Sequence, residues 1–503
     1  MKNIIFYIIG ITSLIFTQSC NDYLDVKPKT FFTRETYYSK PEHAQQAVSA
    51  CYDLLRRPYR LVGTYGEASF MMLEFATGMC NTSIAQASYN IEFRETKASA
   101  NNIYAWDWWQ SYYEGIENCN IALENLPGIP GLSESQLSHF MGEAYFLRAY
   151  YYFILVQIFG DIPLQDKSTV SPEDVNVHRS PVADIYNLIV SDLIAAEKTS
   201  LPNTSNSGKI TMGAVKSLLA KVYLTMAGYP LQNTEMYAQA AAKAGEVVNS
   251  GWYNLFPDID DLRNRNNRNT VEHIFQTQFA AGIAEIYIHP WLLPRYSGIS
   301  GYSDEYGCIY PDSSFIRTFD RADKRIQEKG WFYTEYPKWN NPSEIVTFEA
   351  HIYKYFDDNA MGTYQGSQNY PNLRYADILL VYAEAQNEAE GSPNALALQC
   401  YNAVRNRAGL SSKTLADFSS QNNFREAVWK ERYWELCFEN QIWYDMARTR
   451  KVFDLVNNRI SDFVGYVFPY GNGAFRLTET QLLFPIPLRE RQTNKNLTQN
   501  SGY

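Results

Sequence analysis

The sequence predicts a mostly α-helical protein in which helical hairpins pack against an irregular, loop-rich portion with short strands. Three observations predict this class. Apolar residues recur at three- and four-residue spacing through most of the chain, and short connectors rich in Gly and Pro separate these periodic stretches. Residues 255–372 then interrupt the pattern with many Gly, Pro, Asn and Tyr.

The first predicted helix begins at Pro41. After it, apolar residues fall on one helical face: Ala44, Ala47, Val48, Cys51, Leu54 and Leu55. Thr211 has the side chain of an N-cap, and a second stripe follows it: Val215, Leu218, Leu219, Val222 and Met226. Similar patterns predict further helices at residues 104–126, 133–158, 181–198, 233–250, 373–390, 393–408 and 424–438.

The predicted helices come in pairs. Residues 127–131 and 391–393 are short, turn-rich connectors that would join neighbours into antiparallel hairpins. The hairpins have about the 34-residue size of a tetratricopeptide unit. No clean repeated consensus is visible, so a mixed all-α domain without true repeats remains the alternative.

Two regions lack helical periodicity, residues 255–372 and 457–503. Short strands are predicted in the first, at residues 274–279, 345–348 and 351–356. Long loop segments in a compact protein are either functional or disordered, and the density of aromatic rings disfavours disorder here. We therefore expect a ligand to bind in the loop-rich portion.

Composition excludes one class of partner. The 503-residue chain carries a formal net charge of −10, and it has no basic run of the kind that neutralises phosphates, so no nucleic-acid partner is expected. Aromatic residues are abundant: 39 Tyr, 27 Phe and 10 Trp make 15% of the chain. Because core filling alone needs fewer rings, some are expected on recognition surfaces.

The N-terminus has the pattern of a secretion signal. Lys2 precedes an apolar stretch at residues 4–16, and Ser19 comes just before Cys20. We predict a lipoprotein signal peptide at residues 1–19 and lipidation of Cys20, with ordinary cleavage near Ser19 as the alternative. No later segment is apolar over the roughly 18 residues that a transmembrane helix needs.

Metal and cofactor chemistry finds no support in the sequence. The other six cysteines are widely spaced without a C-x-x-C pair, and the six histidines are scattered. Phosphate-binding loops and nucleophile elbows are also missing, so no cofactor is expected. Most of the cysteines are predicted to be small buried hydrophobes.

Three acids invite an enzymatic interpretation. Glu431, Glu435 and Glu439 follow one another at four-residue spacing, so a helix would align their carboxylates on one face for metal binding or acid–base chemistry. The arginines Arg405, Arg432 and Arg448 offer partners for a structural ion network instead. We favour the structural interpretation and predict no catalytic residue.

Six segments in order resemble the SusD/RagB family. They are the start CNDYLDVKP from Cys20, AYFLRAYYYFILVQIFGDIPL at 144–164, RYADILLVYAEAQNE at 374–388, NAVRNRAGL at 402–410, ERYWELCFENQIWYDMARTRK at 431–451 and FPIPLRERQTNKNLTQNSGY at the end. The resemblance covers the whole mature chain, residues 20–503. Asn440, Lys495 and Ser501 depart from the family pattern, where Gly or Pro is usual.

The resemblance implies one SusD-like domain, with tetratricopeptide-like hairpins mainly at 41–250 and 373–456 and ligand binding mainly at 255–372. It implies a surface-exposed, lipid-anchored outer-membrane protein that captures an oligosaccharide or polysaccharide and delivers it to a SusC-like TonB-dependent transporter. No reaction is expected. The alternatives are a RagB-like subunit that imports peptide or protein, and a glycoside hydrolase.

Ligand contacts are predicted from composition, because the family supplies no fixed binding motif. The densest run of rings and polar groups includes Trp291, Arg295, Tyr296, Tyr302, Asp304 and Tyr306, with Tyr287, His289 and Tyr310 beside them. A second set is Trp331, Tyr333, Tyr336 and Trp339, and Tyr89 is an earlier candidate. For each single ring, the alternative is packing in the core or contact with the barrel of the SusC-like transporter. Trp106, Trp108 and Trp109 are assigned to the scaffold.

Overall fold

The computed structural model describes residues 37–60, 69–83, 88–171, 174, 176–468 and 476–503. The predicted signal peptide and Cys20 lie outside these residues. Every helix in the described ranges is too short or too polar to cross a bilayer.

Fifteen α-helices form in the described part of the chain. They are α1 Pro41–Asp53, α2 Met72–Phe75, α3 Ser88–Arg94, α4 Ile103–Asn125, α5 Glu134–Phe159, α6 Val182–Glu197, α7 Met212–Ala227, α8 Met236–Val248, α9 Ile288–Leu292, α10 Ser313–Ile316, α11 Tyr375–Glu390, α12 Ala395–Arg407, α13 Gln421–Leu436, α14 Ile442–Thr449 and α15 Leu488–Thr493. Each helix that the periodicity predicts is present, and its ends differ from the prediction by a few residues.

Side-chain caps fix where the long helices begin. Thr211 caps α7 as predicted, since its hydroxyl accepts a hydrogen bond from the Ala214 N–H at 3.2 Å. A capping box of Ser133 and Gln136 begins α5. Gly391 ends α11 in the left-handed conformation, with φ of 77°. These local signals explain why the helix positions are readable from sequence.

The long helices pack in a continuous stack. α1 and α5 contact α4, α5 contacts α6, α6 contacts α7, α7 contacts α8, α8 contacts α11, and α11 contacts α12 and α13. Because α8 packs directly on α11, residues 249–374 form an insertion between two neighbouring helices. The helical stack is called the scaffold below, and the insertion is the loop-rich portion.

Ten strands in the described ranges pair into five two-stranded antiparallel sheets. They are β1 Cys80–Asn81, β2 Ile162–Pro163, β3 Arg179–Ser180, β4 His273–Thr277, β5 Tyr310–Pro311, β6 Phe332–Lys338, β7 Asn341–Ile352, β8 Tyr370–Arg374, β9 Lys451–Asp454 and β10 Arg459–Asp462. The pairs are β1 with β5, β2 with β3, β4 with β8, β6 with β7, and β9 with β10. The β4–β8 pair joins the beginning and the end of the loop-rich portion.

Strand prediction is less accurate than helix prediction. The segment predicted at 274–279 is β4, and the one at 345–348 lies inside β7. The strand predicted at 351–356 is wrong beyond Ile352, because the N–H groups of Tyr353 and Lys354 both donate to the Trp331 carbonyl and turn the chain. β6 was not predicted from the sequence.

Candidate functional site

A surface loop at residues 295–305 is held from its centre by one buried carboxylate. Glu305 is 4% exposed, and its oxygens accept four hydrogen bonds: from Ser297 Oγ at 2.7 Å, Gly298 N–H at 2.6 Å, Ser300 N–H at 2.8 Å and Ser300 Oγ at 2.8 Å. Bonds to a charged acceptor are stronger than those between neutral groups. Glu305 therefore fixes the backbone of a loop that has no regular secondary structure.

A second hydrophobic core supports this loop. It is separate from the main core of the scaffold and consists of Leu293, Ile299, Tyr302, Tyr333, Tyr353, Phe356 and Met361. Half-buried residues that pack against it include Tyr336 and Tyr364. The loop-rich portion thus has its own apolar support for surface residues.

Tyr364 lies over this second core. Its ring stacks on Tyr302, with centroids 3.8 Å apart and planes at 23°. Its hydroxyl lies 3.2 Å from Ser303 Oγ and accepts the Asp304 N–H at 3.3 Å. Tyr302 itself is only 8% exposed, so the outer ring of the stack is Tyr364.

Trp339 lies beside the same loop, next to the turn between β6 and β7. Its backbone N–H donates to the Gly298 carbonyl at 2.8 Å, and the residue is 48% exposed. The indole packs against two glycines: a Cβ on Gly301 would lie 3.0 Å from Trp339 Nε1, and one on Gly362 would lie 3.1 Å from Cη2. The lack of side chains at these glycines makes room for the ring.

Tyr296 is the most exposed ring of the loop, at 71%. Its backbone is in the left-handed region, with φ of 55°, a conformation that costs a bulky residue about 1–2 kcal/mol. The Arg295 guanidinium lies 4.8 Å from the ring centroid and donates to the Ser83 carbonyl at 2.9 Å. Strained backbone of this kind concentrates at functional sites.

Three rings and two polar groups therefore share one surface. The rings are Tyr296, Trp339 and Tyr364, and the polar groups are Arg295 and Asp304. We call these five residues the aromatic surface. Exposed ring faces bordered by hydrogen-bonding groups are suited to a ligand that has both apolar C–H patches and hydroxyls.

Comparison with protein families decides the assignment. The model described as "SusD family" matches residues 239–503, which is more than half of the chain. The chain belongs to the SusD family. A second model, described as "Starch-binding associating with outer membrane", matches residues 22–224.

Relatives of known name support the assignment. SusD-like protein P25 of Formosa agariphila is 25% identical, and the alignment covers 100% of this chain and 99% of the relative. The starch-binding protein SusD of Bacteroides thetaiotaomicron is 22% identical over 74% of each chain.

Solved structures share the fold. A SusD superfamily protein from Parabacteroides distasonis is 38% identical, with a TM-score of 0.87 over 94% of this chain and 100% of the other. Surface glycan-binding protein A from Bacteroides thetaiotaomicron, in complex with laminarihexaose, is 20% identical, with a TM-score of 0.74 over 92% of this chain and 100% of the other. The predicted fold class, including tetratricopeptide-like helical packing, is confirmed.

The structure brings some of the predicted ligand residues together and separates others. Arg295, Tyr296 and Asp304 are exposed on the aromatic surface. Trp291 is 1% exposed and Trp331 is 2% exposed, so both rings are covered by protein on all sides. The prediction that these two tryptophans contact a ligand is corrected accordingly.

The other predicted rings have supporting positions. Tyr302 is buried beneath Tyr364, and Tyr306 is half-buried against the main core. Tyr89 is half-buried and packs on Tyr104, with centroids 5.7 Å apart. Trp339 was predicted in the second set and is exposed. Tyr364 was missed, although it too lies among Gly, Asn and Gln in the loop-rich portion.

His289 is buried behind Tyr302. The Tyr302 hydroxyl donates to the Ala360 carbonyl, so the His289 Nδ1–H must donate to the Tyr302 oxygen, 3.0 Å away. His289 Nε2 then carries a lone pair and finds no partner among the described residues. Burial lowers the pKa of His289 to about 4, which keeps the ring neutral.

The three aligned acids form an ion network, as favoured from the sequence. Glu431 Oε1 lies 2.8 Å from Arg325, Glu435 lies 3.0 Å from Arg374, and Glu439 lies 2.7 Å from Arg374. Arg407 and Lys354 complete it by pairing with Glu435 and Glu439. Of the predicted partners only Arg405 joins it, at 3.7 Å from Glu431, whereas Arg432 and Arg448 pair with other acids.

This network joins the two parts of the molecule. The glutamates come from the scaffold, at α13 and just after it, whereas Arg325, Lys354 and Arg374 come from the loop-rich portion. All of them are buried. We call this network the ion joint. Its carboxylates are buried and neutralised by guanidinium and ammonium groups, so a structural role follows.

The cysteines are buried, as the sequence predicts for most of them. All six cysteines from Cys51 onward are buried. Within the described ranges, no group of three His, Cys, Asp or Glu residues has the geometry to hold a metal ion.

Proposed function

We propose that this protein binds an oligosaccharide through the aromatic surface. The observation that carries the proposal is the exposure of Tyr296 and Trp339, with the half-buried Tyr364 beside them, on one rigidly supported loop surface. A pyranose presents C–H groups that pack on such rings, while its hydroxyls bond to groups at the rim. Arg295 and Asp304 supply a donor and an acceptor there.

Two relatives support the class of ligand. One is named a starch-binding protein, and another was solved in complex with laminarihexaose. The first aligns with 74% of this chain, and the second shares its fold over 92% of it. The proposal extends glycan binding to this member of the family.

The protein acts at the cell surface in this proposal. Cys20 carries the lipid anchor in the outer membrane, and a SusC-like TonB-dependent transporter receives the captured glycan. The family description "associating with outer membrane" supports the location. Replacement of Cys20 by Ser should move the protein from the membrane fraction to the soluble fraction, and the wild-type protein should co-purify with the transporter.

No chemical step is part of the proposed function. Glu305, the carboxylate at the centre of the loop, is buried and both its oxygens accept hydrogen bonds from the loop itself. A glycosidase needs two carboxylates placed on either side of the scissile bond. After incubation of the protein with a glycan that it binds, chromatography should therefore show a glycan of unchanged length.

The test is binding of soluble glycans to the mature chain and to a Trp339→Ala variant. Laminarihexaose, maltoheptaose and xylohexaose are suitable probes in isothermal titration calorimetry, after a glycan array has selected the class. Loss of one central aromatic contact should cost about 2 kcal/mol, or ~30-fold in affinity. Because Trp339 is half-exposed, the thermal unfolding midpoint should hardly change.

The control is Tyr503→Ala, which removes a ring that is 37% exposed on the C-terminal segment. This variant should bind like wild type. Equal glycan affinity of the Trp339→Ala variant and wild type would contradict the proposal that the aromatic surface binds the glycan. Binding of peptides without binding of any glycan would instead favour a peptide-import subunit.

A further inference from the structure

A cavity lies in the scaffold, away from the aromatic surface. Its volume is about 380 Å³, at the small end of the ~300–1,000 Å³ range of ligand pockets. It is formed where α5, α7 and α14 end and the C-terminal segment passes over them. No residue of the loop-rich portion lines it. Its occupant would therefore bind independently of the aromatic surface.

Arg450 is the first unusual feature of this cavity. It follows α14 in the left-handed conformation, with φ of 56°, where Gly or Asn is the usual residue. Its guanidinium lies 4.9 Å from the centroid of the Tyr229 ring, which is 39% exposed and also lines the cavity. The Arg450 backbone carbonyl accepts the Phe463 N–H, but the guanidinium makes no hydrogen bond or ion pair with any residue that the structure describes.

Arg179 lines the same cavity and bonds only to neutral oxygens. It donates to the Asp161 carbonyl at 2.7 Å, to the Thr498 carbonyl at 3.2 Å and to the Asn500 side chain. The Asp161 carboxylate is engaged elsewhere, because it accepts the Val182 N–H at the start of α6 at 2.9 Å. Arg179 forms no ion pair across the described ranges.

Both guanidinium groups are cations that the fold has partly removed from water. Burial lowers the pKa of Arg450, and the attraction of Glu479 offsets only part of the effect. Burial likewise lowers the pKa of Arg179, with Asp161 as the partial offset. An anion in the cavity would supply the negative charge that offsets the cost of removing these guanidinium groups from water.

Other arginines of this protein are buried and fully paired with carboxylates. All six arginines that are buried in the described structure pair with carboxylates: Arg148, Arg325, Arg374, Arg407, Arg432 and Arg448. Arg448 also lines the cavity, and its charge is matched by Glu384 and Asp445. Arg179 and Arg450 have no such partner among the described residues. The Asp161 carboxylate also lines the cavity, and it balances only one of these two positive charges.

We propose that this cavity binds a uronic acid unit, a sugar ring that carries a carboxylate. The planar guanidinium of Arg450 matches a carboxylate with two parallel hydrogen bonds, and Arg179 adds attraction for the anion. Tyr229 offers a partly exposed ring to the sugar, and Gln157, Thr225 and Ser501 line the cavity with hydrogen-bonding groups. The ligand differs in charge from the neutral glucans bound by the relatives described above.

The test is titration of the mature protein with D-glucuronate, followed by saturation-transfer NMR and calorimetry. Arg450→Gln should weaken glucuronate about 10- to 100-fold, because it removes charge-assisted hydrogen bonds. The matched control is Arg317→Gln, which removes an exposed guanidinium in the loop-rich portion and should leave binding unchanged. Circular dichroism and the unfolding midpoint confirm that both variants are folded.

Further measurements separate this proposal from the aromatic surface and from other carboxylates. Trp339→Ala should bind glucuronate as wild type does, even if the aromatic surface proves to have no role. D-glucose should bind at least 10-fold more weakly than glucuronate. Unchanged glucuronate affinity in Arg450→Gln would overturn the site. Equal affinity for N-acetylglycine or inorganic sulfate would overturn the recognition of a sugar.

Discussion

The scaffold and the loop-rich portion hold their polar groups in opposite ways. At the ion joint, Glu435 is neutralised by the guanidinium groups of Arg325, Arg374 and Arg407. In the loop at 295–305, Glu305 is surrounded by neutral donors, namely serine hydroxyls and backbone N–H groups. The first arrangement fixes helices to each other and to the insertion; the second shapes a surface.

The aromatic residues differ in the same manner. Scaffold tryptophans such as Trp108 and Trp109 are 2% and 3% exposed and fill the main core. In the loop-rich portion the second core covers one side of Tyr364 and leaves Trp339 and Tyr296 exposed. Recognition in this fold therefore depends on a small core of its own, and the ion joint connects that core to the large one.

Breaking the ion joint should have the largest effect. Glu435→Gln leaves buried guanidinium groups without their carboxylate, and removal of one partner from a buried pair costs about 3–5 kcal/mol in unfolding free energy. Thermal and urea unfolding, followed by circular dichroism, measure the loss. Glu344→Gln is the control, because Glu344 is 50% exposed and its pair with Lys338 is solvated; it should cost less than about 1 kcal/mol. Equal effects in the two variants would contradict the comparison.

Acid should weaken the loop-rich portion before the joint. Burial lowers the pKa values of His273, His289 and His351 to about 4, and all three lie in the loop-rich portion. The unfolded chain takes up these protons near pH 6.5, so stability is lost as the pH falls from about 6.5 to about 4. For His289 alone this amounts to about 3 kcal/mol.

Within the ion joint, Glu435 loses its charge only at lower pH. Burial acts to raise the pKa of Glu435, but the surrounding arginines outweigh it and hold that pKa at about 2, so its contribution is lost only as the pH falls from about 4.5 towards 2. Glu74 accepts hydrogen bonds from the backbone N–H groups of Phe438 and Asn440, and its pKa shifts in the opposite direction. Burial raises the pKa of Glu74 to about 7, so protonation of this carboxylate stabilises the protein below that pH. Hydrogen exchange at pH 5 should show opening of residues 286–364 while α11 and α13 stay protected. Simultaneous exchange in residues 286–364 and in α11 and α13 would contradict the prediction that the loop-rich portion opens first.

Helices could be predicted because their signals are local. Thr211 and Ser133 cap helices through bonds to residues three positions away, and apolar spacing gives the buried face. The ion joint was partly predictable, since four-residue spacing aligned its glutamates. Its partners Arg325 and Arg374 were not, because they come from the distant loop-rich portion.

The candidate site was harder to predict, because composition does not reveal burial. Trp331 Nε1 donates to the Trp434 carbonyl at 3.2 Å, and Lys354 Nζ lies 4.3 Å from its ring centroid, so long-range contacts bury this ring. Trp339 is only eight positions further along the chain but follows β6 at a hairpin turn and is exposed. The same residue type in the same segment thus has two roles that only the fold distinguishes.

The smallest predicted effect concerns the strain at Tyr296. Asn tolerates the left-handed conformation better than a bulky ring, so Tyr296→Asn should raise the unfolding free energy by about 0.5–1 kcal/mol. The same change removes an exposed ring of the aromatic surface and should weaken glycan binding. Gln232→Asn relaxes a comparable residue, with φ of 51°, in the scaffold and should stabilise without altering affinity. Calorimetry of unfolding and of binding on both variants measures the two effects.

Stabilisation with loss of affinity at Tyr296 alone would show that the loop keeps its strain for recognition, whereas tight binding by Tyr296→Asn would leave that strain unexplained.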